Sequence, residues 1–596
     1  MSLLFNPATY DPSFLDDETR SALKALVGFF EEKGNDAIQA DYFAGTWYTD
    51  FLQFCAEHNL LGMMGTPSEV GGLLGGAEGA AQARWDTARI NEFNEILGFY
   101  SLAHWYAWQV TVLGLGPVWI SDNDEAKAQV GKLLESGAIF GFGLSEKEHG
   151  ADIYSTDMIL SRDGEGWKAS GGKYYIGNGN EAGRLSVFGK FADDDPEHPG
   201  EYVFFLVDTQ HERYRLLKNV VHSQMFVAAF DLDEYPVSRA DILHVGKPAW
   251  DAALATVNVG KVNLGWASIG IAEHAFYEAI THANNRVLYG NRVTEFPHVR
   301  RMLADAYARL IAMKAYASRS ADYFREASED DRRFLLFNPI TKAKVTSEGE
   351  RVINLLWDVI AARGFEKDTY FSQATSMIRA LPKLEGTVHV NIALVLKFMP
   401  AYLGATMGAA ADYPAVPVRQ DAADDAYLFQ QGPASGLSKI QFNDPRPATA
   451  RFEHLPNVKV FLHQSATLAD LVMQAPPSAE QQKDLDYLQV LGQLFTQVVY
   501  AQLICENAAL AMDGEARASS VSDLTGLTEA HVDRMFAVFV QDMAEQAVAL
   551  HGQASATDAQ RQLALGLVKA PVIDDAAEDA FVAEVLGYDG AYVLKP

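Results

Sequence analysis

With 596 residues, 48% of them hydrophobic, the chain exceeds what one core can bury, and its composition excludes a disordered or fibrous protein. Three or four packed units are therefore expected. A formal charge of −30 disfavours nucleic acid or an anionic membrane as the main partner, although a local basic pocket is compatible with it. Cys55 and Cys505 are the only cysteines and lie far apart, so neither a disulfide framework nor a thiolate metal site is expected. No metal ligand set is read, and the cysteine usage suits a reducing, cytoplasmic location.

In chain order, the N-terminus MSLLFNPATYDPSFLDDETR has no basic region before its short apolar run, so no export or mitochondrial signal is read. No run of about 18 uncharged apolar residues marks a spanning helix. Residues 1–136 read as an N-terminal helical domain, with helical periodicity over 16–30, 47–60 and 85–120. The Gly-rich stretch 61–79 reads as a loop opened around Pro67. Residues 137–248 form a β domain of short strands such as YVFFLVD and MFVAAFDL, with turns expected at DGEG (163–166) and SGGK (170–173). Long helices resume over 249–405, including INLLWDVIAARGF (353–365), whose stop is assigned to Gly364. A Pro/Gly/Asp-rich connector spans 406–436, and 437–596 is again helical. The class is α+β.

Several segments carry chemistry-bearing residues, each with an ordinary structural alternative. FGFGLSEKEHGADIYSTD (140–157) ends a strand in a charged loop, where Ser145 could be a simple cap. The segment 163–183 reads as a hairpin followed by a Gly-Asn-Gly turn at 177–179. NRVLYG (285–290), ARGF (362–365) and LPKLEGT (381–387) follow in that order. Glu-Gly-Thr alone is a weak motif.

Together these segments resemble the acyl-CoA dehydrogenase family over about residues 15–400. The resemblance implies an N-terminal helical domain, a middle β-barrel-like domain and a four-helix-bundle catalytic domain, here with an extra C-terminal helical domain as in the longer members and the acyl-CoA oxidases. It implies FAD as cofactor, with Leu144 and Ser145 on one side of the isoalloxazine ring and Tyr175, Ile176 and Gly177 on the other. Gly150 and Ala151 fall in the loop that follows. Arg286, with Tyr289 in its motif, is the counterpart of an arginine that reaches the FAD diphosphate of a neighbouring subunit. Ala361, Ala362, Gly364, Thr387 and His389 fall at the remaining cofactor contacts. Two departures concern the cofactor directly: Ala151 replaces a serine that usually reaches a phosphate, and Gly177 replaces the hydroxyl residue that usually bonds flavin N5.

The resemblance makes Glu385 the base that removes the substrate's α-proton, opposite a hydride acceptor. Gly386 and Leu384 flank it in the substrate site, and Thr387 is placed to cap the helix that follows. Gly260 stands where some members carry the base instead, and neither it nor Val259 or Lys261 is acidic. Trp105 and Gln109 fall at the floor of the acyl pocket, where a tryptophan implies short, branched or ring-bearing acyl groups; the plain alternative is that Trp105, Tyr106 and Trp108 are core aromatics. The expected reaction is α,β-dehydrogenation of an acyl-CoA in fatty acid β-oxidation by a homodimer, with an electron-transfer flavoprotein as acceptor. The alternatives are an acyl-CoA oxidase using O₂ and a non-catalytic acyl-CoA-binding relative; a DNA-associated relative is disfavoured by the acidic C-terminal block.

Overall fold

The computed structural model describes residues 3–431, 436–515 and 524–596, with side chains described for all but 77–82 and 438. Seven helices come first: α1 Asp17–Ala44, α2 Thr49–Glu57, α3 Leu60–Gly65, α4 Ser68–Gln82, α5 Thr87–Tyr100, α6 Leu102–Ile120 and α7 Asp124–Glu135. The side chain of Asp16 caps α1 by accepting from the Thr19 N–H, and Gly45, at φ 63°, ends it in the left-handed conformation.

Apart from Thr66 and Pro67, residues 61–79 are helical, contrary to the loop expected there. Gly65 is a site of close approach rather than a breaker. A Cβ on Gly65 would lie 3.1 Å from Leu134 and 3.3 Å from Leu115, so packing overrides the poor helix propensity. Only Gly76, at φ 64°, leaves the helical region within α4.

Eight strands follow: β1 Phe140–Gly143, β2 Ile159–Asp163, β3 Gly166–Gly177, β4 Arg184–Phe191, β5 Tyr202–Val207, β6 Tyr214–Asn219, β7 Val227–Val237 and β8 Ile242–Val245. They make one mixed sheet in the order β6-β7-β3-β2-β4-β5-β8, with β1 joining β4 in parallel. This sheet holds a small core of its own, including Leu160, Trp167, Leu185 and Phe230. The hairpin turn at 163–166 is present, between β2 and β3. The turn expected at 170–173 is not: these residues lie inside β3, where Gly171 sits at a bulge against β7. A Cβ there would fall 2.9 Å from the Met158 backbone, so the glycine permits a close crossing rather than a reversal.

The helical half begins with α8 Lys247–Asn285. A short hairpin, β9 Val287–Leu288 and β10 Asn291–Arg292, leads to α9 Pro297–Arg325. Next come α10 Phe334–Ile340, α11 Thr346–Ile360, α12 Phe371–Met377, α13 Val388–Val395 and α14 Met399–Gly404, with a π turn Thr341–Val345 joining α10 to α11. Helix α11 stops on Ala361, at φ 55°, not on Gly364. Gly364 instead leaves room for Trp357, whose ring would lie 2.8 Å from a Cβ at that position.

Residues 412–425 contain no helix or strand, yet they are firmly seated. The Asp425 N–H donates to Trp85 O at 2.7 Å, and its carboxylate accepts from Thr87 N and pairs with Arg325. The last helices are α15 Arg446–Ala450, α16 Pro456–Gln474, α17 Leu485–Met512, α18 Glu529–His551, α19 Asp558–Leu567 and α20 Asp575–Leu586. They are bolted to the bundle: Arg309 of α9 reaches Asp542 of α18 at 2.8 Å and Glu348 of α11 at 2.6 Å, all three buried. The tail returns to α1, where the Asn35 N–H donates to Lys595 O.

Two helical stretches reach membrane-spanning length and hydropathy. Leu485–Met512 is mostly buried among its neighbours, and Val388–Ala409 is a succession of short helical pieces.

Candidate active site

Glu385 lies in a turn ahead of α13 and is itself in the left-handed region, at φ 53°, with Gly386 following at φ 85°. Such a conformation in a glutamate is held by its surroundings. Lys342, from the π turn, donates to Pro382 O at 2.6 Å and anchors the front of the turn. Asn391 Nδ2 donates to the carbonyls of Gly386 and Thr387 behind it. Thr387 is the N-cap of α13, its Oγ1 accepting from Val390 N, as expected. The Glu385 N–H has no backbone acceptor among the described residues.

The carboxylate is buried between α6 and α8. Its Oε1 accepts from Gln109 Nε2 at 2.6 Å, and its Oε2 has no hydrogen-bond partner among the described residues. Helix α8 passes close by at Gly260, where a Cβ would fall 2.7 Å from Glu385 Oε2 and 2.9 Å from Gln109 Nε2. Position 260 must therefore be glycine for this carboxylate to occupy its place.

Burial dominates the electrostatics. It lifts the Glu385 carboxyl to about 7, against the Gln109 hydrogen bond and the charges of Lys342 and Lys261, which all pull downward. Both lysines are themselves depressed by burial, Lys342 to about 7 and Lys261 to about 8.

A buried amide chain fixes the donor. Trp105 Nε1 donates to Asn94 Oδ1, and Asn94 Nδ2 donates to Asn263 Oδ1. Asn263 Nδ2 then donates to Gln109 Oε1 at 2.8 Å. With its oxygen so engaged, Gln109 can present only N–H groups to Glu385 and to Gly260 O. Trp105 is fully buried in this chain, so the core-aromatic alternative describes its packing. Leu384 is half-buried against the main core.

A second group of predicted residues comes together at the edge of the sheet. Ser145 Oγ donates to Tyr174 O, and Tyr174 N donates to Ser145 O, clamping the end of β1 to β3. Leu144 is half-buried here; its carbonyl and Glu146 accept from Lys173 Nζ, which burial depresses to about 8. Tyr175, at φ 64° in the β3 bulge, points its ring outward, while Ile176 is buried beneath it. Gly150 and Ala151 lie in the exposed loop beyond, with no atom within 4 Å of a Cβ built on Gly150.

The third group stands apart on the surface. Arg286 caps the end of α8, and Tyr289, 95% exposed, tips the β9–β10 hairpin. Ala361 and Ala362 are exposed and Gly364 is buried beside them. Arg286 Nη1 lies 3.4 Å from His282 Nε2, and the charge of Arg363 also reaches this imidazole. His389 is exposed on α13, its carbonyl accepting from Gln489.

Sequence reasoning missed Tyr106, Lys261, Lys342 and Arg363 as members of these groups. For Lys261 the signal available was a single cation in an otherwise apolar helical stretch; Lys342, with Lys344 two residues on, carried no such mark. Nothing local marked Tyr106.

Residues 250–399 match the model of the acyl-CoA dehydrogenase C-terminal domain. Among curated proteins, an acyl-CoA dehydrogenase of Mycobacterium leprae is 28% identical over 226 residues, 36% of this chain and 54% of that one. The mitochondrial very long-chain specific acyl-CoA dehydrogenase of Mus musculus is 25% identical, over 63% of this chain and 57% of its own length. The chain thus spans just over half the length of the curated relatives it matches. Among solved structures, an acyl-CoA dehydrogenase from Bacillus anthracis complexed with FAD superposes with TM-score 0.69 at 17% identity, covering 97% of this chain and 96% of that one. The butyryl-CoA dehydrogenase of Megasphaera elsdenii superposes over 65% of this chain and 99% of its own, with TM-score 0.55 and 17% identity. Residues 250–399 thus resemble the C-terminal domain of acyl-CoA dehydrogenases, and the chain shares the fold of their solved structures.

Proposed function

We propose that this protein is an FAD-dependent dehydrogenase that converts an acyl-CoA thioester to its trans-2-enoyl-CoA, with Glu385 as the base. The observation that carries the reading is a buried carboxylate poised near neutrality, with one oxygen held by Gln109 and the other uncommitted. A base so tuned matches its task at physiological pH.

The residues fit the cofactor in two respects. A face made by Leu144, Ser145 and the Tyr174–Gly177 bulge offers an apolar platform edged with backbone donors, kept open by the clamp between β1 and β3. Arg286 and Arg363 converge near His282, where paired guanidinium groups suit a diphosphate. Bound FAD supplies the hydride acceptor. Glu385 Oε2 takes the α-proton, while Gln109 keeps Oε1 in place through an amide whose own oxygen is occupied. Lys261 and Lys342 lower the cost of the carboxylate's charge in a dry site. The uncommitted Glu385 N–H can donate to the thioester oxygen, where negative charge grows as the proton leaves.

The exposed hairpin carrying Arg286 and Tyr289 supports a homodimer in which Arg286 reaches the partner's cofactor. We assign the electrons to an electron-transfer flavoprotein and the enzyme to cytoplasmic fatty acid β-oxidation. The test is an anaerobic visible spectrum titrated with a panel of acyl-CoAs, with Glu385→Gln beside it. Bleaching of a flavin band by one thioester, absent in the variant, is the expected result. A protein without flavin, or a flavin that no thioester reduces, would overturn the reading, and peroxide formation in air would replace the dehydrogenase with an oxidase.

A further inference from the structure

Position 177 carries no side chain, and the structure shows why none can be there. A Cβ built on Gly177 would fall 2.6 Å from Val110 Cγ2, 2.7 Å from Tyr106 Oη and 3.0 Å from Tyr106 Cζ. The space is occupied by a phenol from α6. This placement is fixed from both sides, because Asn178 Nδ2 donates to Ala107 O of α6 at 2.8 Å and to Phe140 O of β1 at 2.9 Å.

The phenol is more than nine-tenths buried, and its oxygen makes no hydrogen bond among the described residues. Burial, followed by the charge of Glu385, pushes its ionisation upward, so it stays a neutral O–H donor throughout the working pH range. Tyr106 lies one turn before Gln109 on the same helix, so the helix that positions the base also carries this hydroxyl.

The geometry points to Tyr106 as the hydroxyl donor to the redox-active edge of the flavin, supplied from α6 in place of a side chain on β3. The inference rests on the FAD reading above. It makes the pair Tyr106 and Gly177 a single unit: the phenol needs the glycine, and the glycine leaves the flavin edge without a side-chain donor unless the phenol is present.

The test compares Tyr106→Phe, Gly177→Ala and Tyr48→Phe with the parent holoenzyme. Tyr48 is a neighbouring buried phenol whose hydroxyl is already committed to Gln224 O. The readouts are the flavin absorption spectrum, the flavin dissociation constant and the equilibrium of flavin reduction against a reference dye, none of which requires turnover. Tyr106→Phe should move the absorption band and shift the dissociation constant or the reduction equilibrium about tenfold, the equivalent of one hydrogen bond. Gly177→Ala, which forces the phenol aside, should reproduce that change even if Tyr106→Phe folds poorly, and Tyr48→Phe should match the parent. Spectra and equilibria of both site variants superimposable on the parent would overturn the inference while thioester bleaching of the parent left the dehydrogenase reading intact. A parent that binds no FAD would overturn both.

Discussion

Replacing Glu385 by glutamine should stabilise the protein, and by an amount that grows with pH. In the unfolded chain a glutamate ionises near 4.5, whereas burial in the fold lifts Glu385 to about 7. The folded state therefore binds this proton more tightly than the unfolded state does. Below pH 4.5 both states are protonated and the residue contributes no pH-dependent penalty. Between about 4.5 and 7 the unfolded state gives up the proton while the fold retains it, and stability is progressively lost. Above 7 the loss is complete. The interval of about 2.5 units corresponds to roughly 3 kcal/mol at 1.36 kcal/mol per unit. Glutamine is never charged and keeps an oxygen for Gln109 Nε2 to bond, so the variant avoids this cost. The assay is thermal and urea unfolding of parent and variant at pH 5 and pH 8. The variant's advantage should be small at pH 5 and near its full size at pH 8, alongside a fall in turnover of about 10²–10⁴-fold from loss of the base. An advantage that does not change with pH, or a variant less stable at pH 8, would refute the claim that burial sets this carboxyl.

Other consequences can be checked on the same enzyme. Gln109→Leu removes the donor that favours the charged base, so the rising limb of activity, centred near pH 7 in the parent, should move to higher pH in kcat/KM profiles. Gly260→Ala places a methyl 2.7 Å from Glu385 Oε2 and should cost about 1–3 kcal/mol while displacing the carboxylate, read as lower Tm together with reduced turnover. Arg309→Met removes the most buried cation of this cluster and leaves Glu348 and Asp542 to Lys344 and Arg351, so unfolding should show a loss of about 1–3 kcal/mol and a looser attachment of α18 to the bundle.

The candidate site was legible where its signal is local and failed where it depends on distance. Glu385 could be found because the interval from Gly364-Phe365 to Glu-Gly-Thr is written along one stretch of chain, and the Thr387 cap is chemistry between residues three apart. The order of helices, strands and helices followed likewise from periodicity, with β8 passed over and also β6, whose residues after Tyr214 are all exposed and show no alternation. The errors share one cause: glycine was read as a local breaker. At 65 and at 171 it answers instead to neighbours farther along the chain, and at the end of α11 the left-handed residue is an alanine.

What the sequence determined by itself is the class of fold and the turn that carries Glu385 with its Thr387 cap, because those rest on short-range chemistry and spacing. What only the tertiary structure decided is the environment that gives the Glu385 carboxylate its character. Gln109 meets Glu385 across 276 residues, its amide orientation is dictated by Asn263 and ultimately Trp105, and Lys261 and Lys342 approach from two other helices. Tyr106 in the space beside Gly177 is the same kind of fact. A carboxyl's ionisation depends on how much water the whole fold excludes and on which charges it brings near, and neither quantity exists until the helices have packed.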